Sequence, residues 1–256
     1  MITLSAGLAI GAVTFLGAFT SGIFGMVGGQ FILAVLLYYM PVSAAMTLFS
    51  ALMFMSGLWR GILWRRHIDW PLTWRYVAGS IIGYVLMLFI AFVPSKPVVY
   101  LGLGLTPLIG SLLPKHLAPD ITKRGMAPVC GFIVIVLQIA IGGAGNVLDM
   151  FFQASPLSRH VIVATKAVTQ LFSQAMRFLY FGALALEASE YVPIWLFVVY
   201  VLLTFAGGSA ATGVLNRMSD ANFRKWTQWL IWALSAIYTG RGLWLLAFPS
   251  GAAAIL

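Results

Sequence analysis

Lys166, Gln170, Ser173 and Arg177 recur at i, i+4, i+7 and i+11 inside the apolar stretch Leu157–Leu186. At about 100° per residue, a helix carries all four within roughly 60° of one another on one face. Thr169 borders this stripe and Gln174 extends it. Two cations with amides and hydroxyls between them are chemistry suited to an anion. The planar fork of Arg177 stays charged and matches a carboxylate or a tetrahedral oxyanion. A Lys or Arg in the middle of a membrane helix costs about 2.5–3.5 kcal/mol on insertion scales, so it faces a cavity or a partner. Lys166 has two readings: it snorkels or pairs with Asp149, the one acidic residue within an expected span, or it holds a ligand. The polar lane beside it favours the ligand. Asp149 reads as a counter-ion to Lys166, as a proton-carrying group, or as both.

Two glycine-rich segments, GIFGMVGG and IGGAGN, carry the second set of candidates. If they break helices, the backbone N–H groups at the following half-helix N-termini bind an anion, helped by the helix dipole. Gly28, Gly29 and Gln30 occupy that position in the first segment, and Gly143, Gly145 and Asn146 in the second. The alternative is packing. Gly17, Ser21, Gly25 and Gly29 recur every four residues, the small-residue pattern that brings membrane helices close. The short apolar arm after the second segment favours the ligand role there more than at the first.

These residues need a membrane scaffold. Hydrophobic residues make up 61% of the 256 and charged residues 8%, with a mean hydropathy of +0.98; soluble domains carry about 25% charged residues. The chain is therefore expected to be an all-α polytopic membrane protein. Its net charge of +9 lies mostly in short loops, which points to cytoplasmic anchoring rather than nucleic acid. One cysteine and three scattered histidines make neither an internal disulfide nor a metal cluster. No nucleophile–base arrangement, Walker lysine or dinucleotide fingerprint occurs, so neither an enzyme nor a cofactor is expected. The opening MITLSAGL lacks a positive leader and reads as part of a retained span.

Ten apolar segments are expected, at about 3–22, 26–40, 42–63, 76–94, 97–113, 126–141, 146–155, 158–185, 193–214 and 226–247. Segments two and seven are short enough to be half-helices or re-entrant arms lining a protein interior. If every segment reverses the chain, Arg65, Arg66, Arg75, Lys115, Lys123, Arg124, Arg159, Arg217, Arg224 and Lys225 share one side. Lys96, Glu187 and Glu190 take the other. The positive-inside bias then makes the basic side cytoplasmic and both termini periplasmic, in a bacterial-type inner membrane.

An offset of 117 residues lays Gly25 on Gly142, Gly28 on Gly145, Ser56 on Ser173 and Arg60 on Arg177. Each half then holds five segments, and an odd number implies inverted-topology repeats, at about 1–113 and 125–248 of a single transporter domain spanning 1–256. Symmetry would place Arg60 and Arg177 near opposite mouths of a central pathway.

SGIFGMVGGQFIL followed by a proline, and AIGGAGNVLDMFFQ followed by SRHVIVATKAVTQLFSQAMRF, resemble the two halves of the TauE/SafE sulfite exporter family. The similarity extends over nearly the whole chain. It implies a secondary transporter, an exporter of small sulfur-containing anions such as sulfite, thiosulfate or organosulfonates, with the bilayer as its other partner. Many members carry a run of glycines and then proline in both halves, where this chain has only Gly28-Gly29 and, in the second arm, Asn146 and Asp149. A passive anion channel, a carboxylate permease and, further off, an intramembrane enzyme or assembly subunit are the alternatives. Export needs no proton coupling through Asp149, whereas uptake could use it.

Overall fold

The computed structural model describes residues 4–24, 27–112, 119–184, 191–215 and 220–248. Among these, ten α-helices and one short 3₁₀ turn occur and no strand. The helices are α1 (Leu4–Phe24), α2 (Val27–Tyr39), α3 (Val42–Leu63), α4 (Trp70–Ile90) and α5 (Lys96–Leu112). They continue as α6 (Met126–Ile141), α7 (Gly145–Gln153), α8 (Arg159–Leu184), α9 (Ile194–Leu215) and α10 (Asp220–Ala247). The all-helical expectation holds, and every expected segment has its helix. Expectations resting on Gly25, Lys115, Glu187, Glu190 and Arg217, and on the side chains of Arg60, Asn146, Arg159, Arg224 and Lys225, lie outside the described residues.

Two helices start earlier than their apolar runs. α4 begins at Trp70 because Asp69 caps it, its carboxylate accepting from the Leu72 N–H at 3.0 Å, with Pro71 in the first turn. It ends at Ala91 in the left-handed region (φ 50°), whose N–H returns to Met87 and Leu88. α10 begins at Asp220, ahead of its first tryptophan.

Length and composition alone allow Leu4–Ile23, Val42–Trp59, Trp70–Ile90 and Ile194–Ala211 to cross a bilayer. Large apolar side chains cover the outside of the bundle: Leu4, Ile82, Phe89, Ile194 and Leu202 are all well exposed. An apolar surface of that extent is stable in lipid and not in water. Inside, α1 packs on α9, α3 on α8, α4 on α6 and α5 on α10. Close crossings fall at glycines, where Gly79 and Gly131 bring the α4 and α6 backbones together and Gly207 does so for α9 and α1. Buried tyrosines tie helices together through carbonyls: Tyr200 of α9 donates to Gly7 of α1 at 3.0 Å, and the Tyr180 hydroxyl of α8 is shared between Met87 of α4 at 3.1 Å and Phe92, just beyond α4, at 2.9 Å.

The main core gathers residues of α2, the turn after it and α3, from Ile32, Leu36 and Met40 to Met46, Phe49 and Leu52. A second cluster joins Tyr76 of α4, Val134 of α6 and Leu148, Phe151 and Phe152 of α7. The short α7, too short to span, is thus enclosed by protein, as irregular backbone at membrane depth requires.

Candidate functional site

The second glycine segment is a true helix break. α6 stops at Gly142, which takes a left-handed conformation (φ 78°) and returns its N–H to Gln138 at 3.0 Å. A side chain there would be strained, and its Cβ would meet Leu33 and Met46 at 2.7 Å. Two residues on, α7 starts with Ala144 in the capping position, and no side chain caps it. Helix starts leave N–H groups without intrahelical partners, so the first turn of α7 offers donors.

Those donors border a small pocket of about 50 Å³. Gly142, Gly143, Ala144 and Gly145 form one side of it. Ser21, Gly29 and Gln30 reach it from the first glycine segment, so the two segments, distant in sequence, meet at one cavity. Gln138 of α6 and Gln170 and Gln174 of α8 supply amides, whereas Leu33, Phe49, Met53 and Leu103 supply an apolar wall. The polar side chains from the second half thus oppose apolar ones from the first. Of the expected ligand residues, Gly29, Gln30, Gly143, Gly145 and Gln170 line this pocket.

Others have different partners. Gly28 is buried against the α1 backbone at Gly17 and Ser21, so close packing accounts for it. Thr169 donates to the Lys166 carbonyl at 3.0 Å. Ser173 donates to the Thr169 carbonyl at 3.1 Å and accepts from the Tyr76 hydroxyl at 2.8 Å, facing α4 rather than the lane. Lys166 is not among the pocket-lining residues; its ammonium forms an ion pair with Asp149, tying α8 to α7. The side chains of Asn146 and Arg60 lie outside the described residues.

Arg177 does not reach a mouth. Its guanidinium is fully buried, donating through Nε to Ser50 Oγ at 2.7 Å and through Nη2 to Gln174 Oε1 at 2.6 Å. Nη1 donates to the carbonyl of Gly142, and the ring of Phe49 lies under the guanidinium at 4.7 Å. Ser50 can accept because its own hydroxyl donates to the Met46 carbonyl at 2.6 Å. The helix position that suggested an outer mouth instead sets the guanidinium behind the pocket wall. Its partners Gly142, Gln174 and Phe49 all line the pocket. It secures the C-terminal end of α6, where carbonyls lack partners and a cation is favoured.

Sequence reasoning missed Ser21 and Gln138 and gave Gln174 no specific role. Gln138 is a single amide in the apolar run IVIVLQIAI, four residues before the break, and an amide in such a run is a signal in itself.

The family model "Sulfite exporter TauE/SafE" matches residues 10–238. Comparison with curated proteins and with solved structures yields no match.

Proposed function

Because the chain belongs to the TauE/SafE sulfite exporter family, a family of transporters and not of enzymes, we propose that it carries a small sulfur-containing anion by alternating access. The binding site is the pocket between the two glycine segments. One observation carries the reading: both segments, the amides of α6 and α8 and a buried guanidinium converge on a single cavity. The N–H groups starting α7 and the amides of Gln138 and Gln170 hold the oxyanion, and Arg177 gives the site its positive potential from behind the wall.

The halves act as inverted repeats. Exchanging α1–α5 with α6–α10 turns the α1–α9 contact into α6–α4 and the α4–α8 contact into α9–α3, while α3–α8 and α5–α10 map onto themselves. All of these contacts occur. The 117-residue offset also pairs Ser21 with Gln138 and Met53 with Gln170, and all four line the pocket. Rocking of one half against the other would open this midplane site to each side in turn. With basic loops cytoplasmic and both termini periplasmic in an inner membrane, the interior-negative potential drives anion export, at about 2.3 kcal/mol per charge per 100 mV. Proton coupling through Asp149 is not needed for that direction.

Counterflow of radiolabelled sulfite in proteoliposomes tests the reading. A saturable flux, stimulated by unlabelled sulfite on the opposite side, is expected. Flux linear in concentration and without counterflow would identify a channel instead.

A further inference from the structure

We infer that the anion this pocket takes is a singly charged oxyanion that still carries a proton on oxygen, rather than a fully ionised dianion. The inference rests on the pocket being the anion site. Two independent observations carry it, one from hydrogen bonding and one from charge.

Gln138 is 1% exposed and lines the pocket, yet its Oε1 accepts no hydrogen bond among the described residues. A buried amide oxygen without a donor is costly, and such groups are normally satisfied by protein, water or ligand. An amide edge sets one acceptor beside one donor. This remains true whichever way round the group is placed. Its complement is an acid group with a hydroxyl beside an oxygen, as in a hydrogen oxyanion. A dianion offers acceptors alone and would set an oxygen against Oε1.

The charge balance agrees. Lys166 and Asp149 cancel in their ion pair. Arg177 is held by the neutral acceptors Ser50, Gly142 and Gln174, so among the described residues it adds one uncompensated positive charge beside the wall. One negative charge on the ligand neutralises it, whereas a second would stay unpaired in the membrane interior.

The test uses purified full-length protein in nanodiscs and two probes. Selenite is a sulfite analogue whose monoanion carries its proton on oxygen; in methaneseleninate a methyl group replaces that hydroxyl. Binding is measured across the pH range in which hydrogenselenite gives way to selenite. No described pocket-lining residue titrates. Around the wall stand Arg177, the Lys166–Asp149 pair, Tyr76 on α4, Tyr100 on α5 and Tyr238 on α10. Methaneseleninate, singly charged throughout, reports any contribution from them.

Selenite affinity should fall with rising pH in step with the hydrogenselenite fraction, while methaneseleninate affinity stays flat. At the low end of the range hydrogenselenite should bind about tenfold more tightly than methaneseleninate, equivalent to about 1.4 kcal/mol. Gln138→Leu should bring the two affinities together. Selenite affinity that is flat or rises with pH, or a preference kept by Gln138→Leu, overturns the inference and leaves the anion site standing. Failure of both probes to bind at any pH overturns the anion site as well.

Discussion

Replacing Lys166 or Asp149 separates a structural ion pair from a ligand-binding lysine. The two side chains are 21% and 28% exposed. They lie between exposed pairs, worth about 0.2–1 kcal/mol, and buried pairs, where removing one partner costs about 3–5 kcal/mol. Lys166→Met or Asp149→Leu alone leaves one charge unpaired at the α7–α8 contact and should cost about 2–4 kcal/mol. The double substitution removes both charges and should cost about 1 kcal/mol or less, a coupling of roughly 1–3 kcal/mol. Unfolding in mixed micelles by detergent titration gives the four stabilities, and selenite binding is measured on the same samples. The folded double variant should keep wild-type affinity within about threefold, about 0.7 kcal/mol, because neither residue lines the pocket. Additive single effects would refute the structural pairing. Loss of binding in a folded double variant would restore Lys166 as the ligand residue its helix spacing suggests.

Arg177→Met strips the donor from Ser50, the Gly142 carbonyl and Gln174 at once, and should destabilise the protein by about 3–5 kcal/mol, seen as a large fall in Tm. Arg177→Lys keeps the charge but cannot reproduce the fork, and should recover less than half of that loss in the same assay. Gly142→Ala, at φ 78° and against Leu33 and Met46, should cost about 1–3 kcal/mol and weaken selenite binding by displacing the start of α7. Gln138→Leu removes an unsatisfied buried oxygen and should raise the Tm of the ligand-free protein even as it lowers hydrogenselenite affinity.

The residues that stop helices were the most legible. Pro41 and Gly142 fix the ends of their segments by backbone chemistry alone, so α3 and α6 match the expected 42–63 and 126–141. The fourth segment is expected only from residue 76 because Arg75 counts with the basic loops, although the Asp69 cap and Pro71 are visible start signals. The stripe on α8 was legible as a periodicity, but its partners were not. Nothing within α8 says that α7 presents Asp149 to Lys166, or that α3 and the end of α6 present Ser50 and Gly142 to Arg177. Distance along a helix gives depth in the membrane, not exposure within the protein, which is why Arg177 was expected at a mouth and is enclosed. The first glycine segment divided between its two readings, since Gly28 packs against α1 while Gly29 lines the pocket.

The account stands on the position of the anion. Selenium scatters anomalously, so diffraction from crystals soaked in selenite locates the ligand without assumptions about its contacts. The predicted result is one strong peak between the Gly143–Gly145 turn and the amides of Gln138 and Gln170, absent from Gln170→Leu crystals. A peak at Lys166 or on the basic loops, with none between the glycine segments, would contradict it.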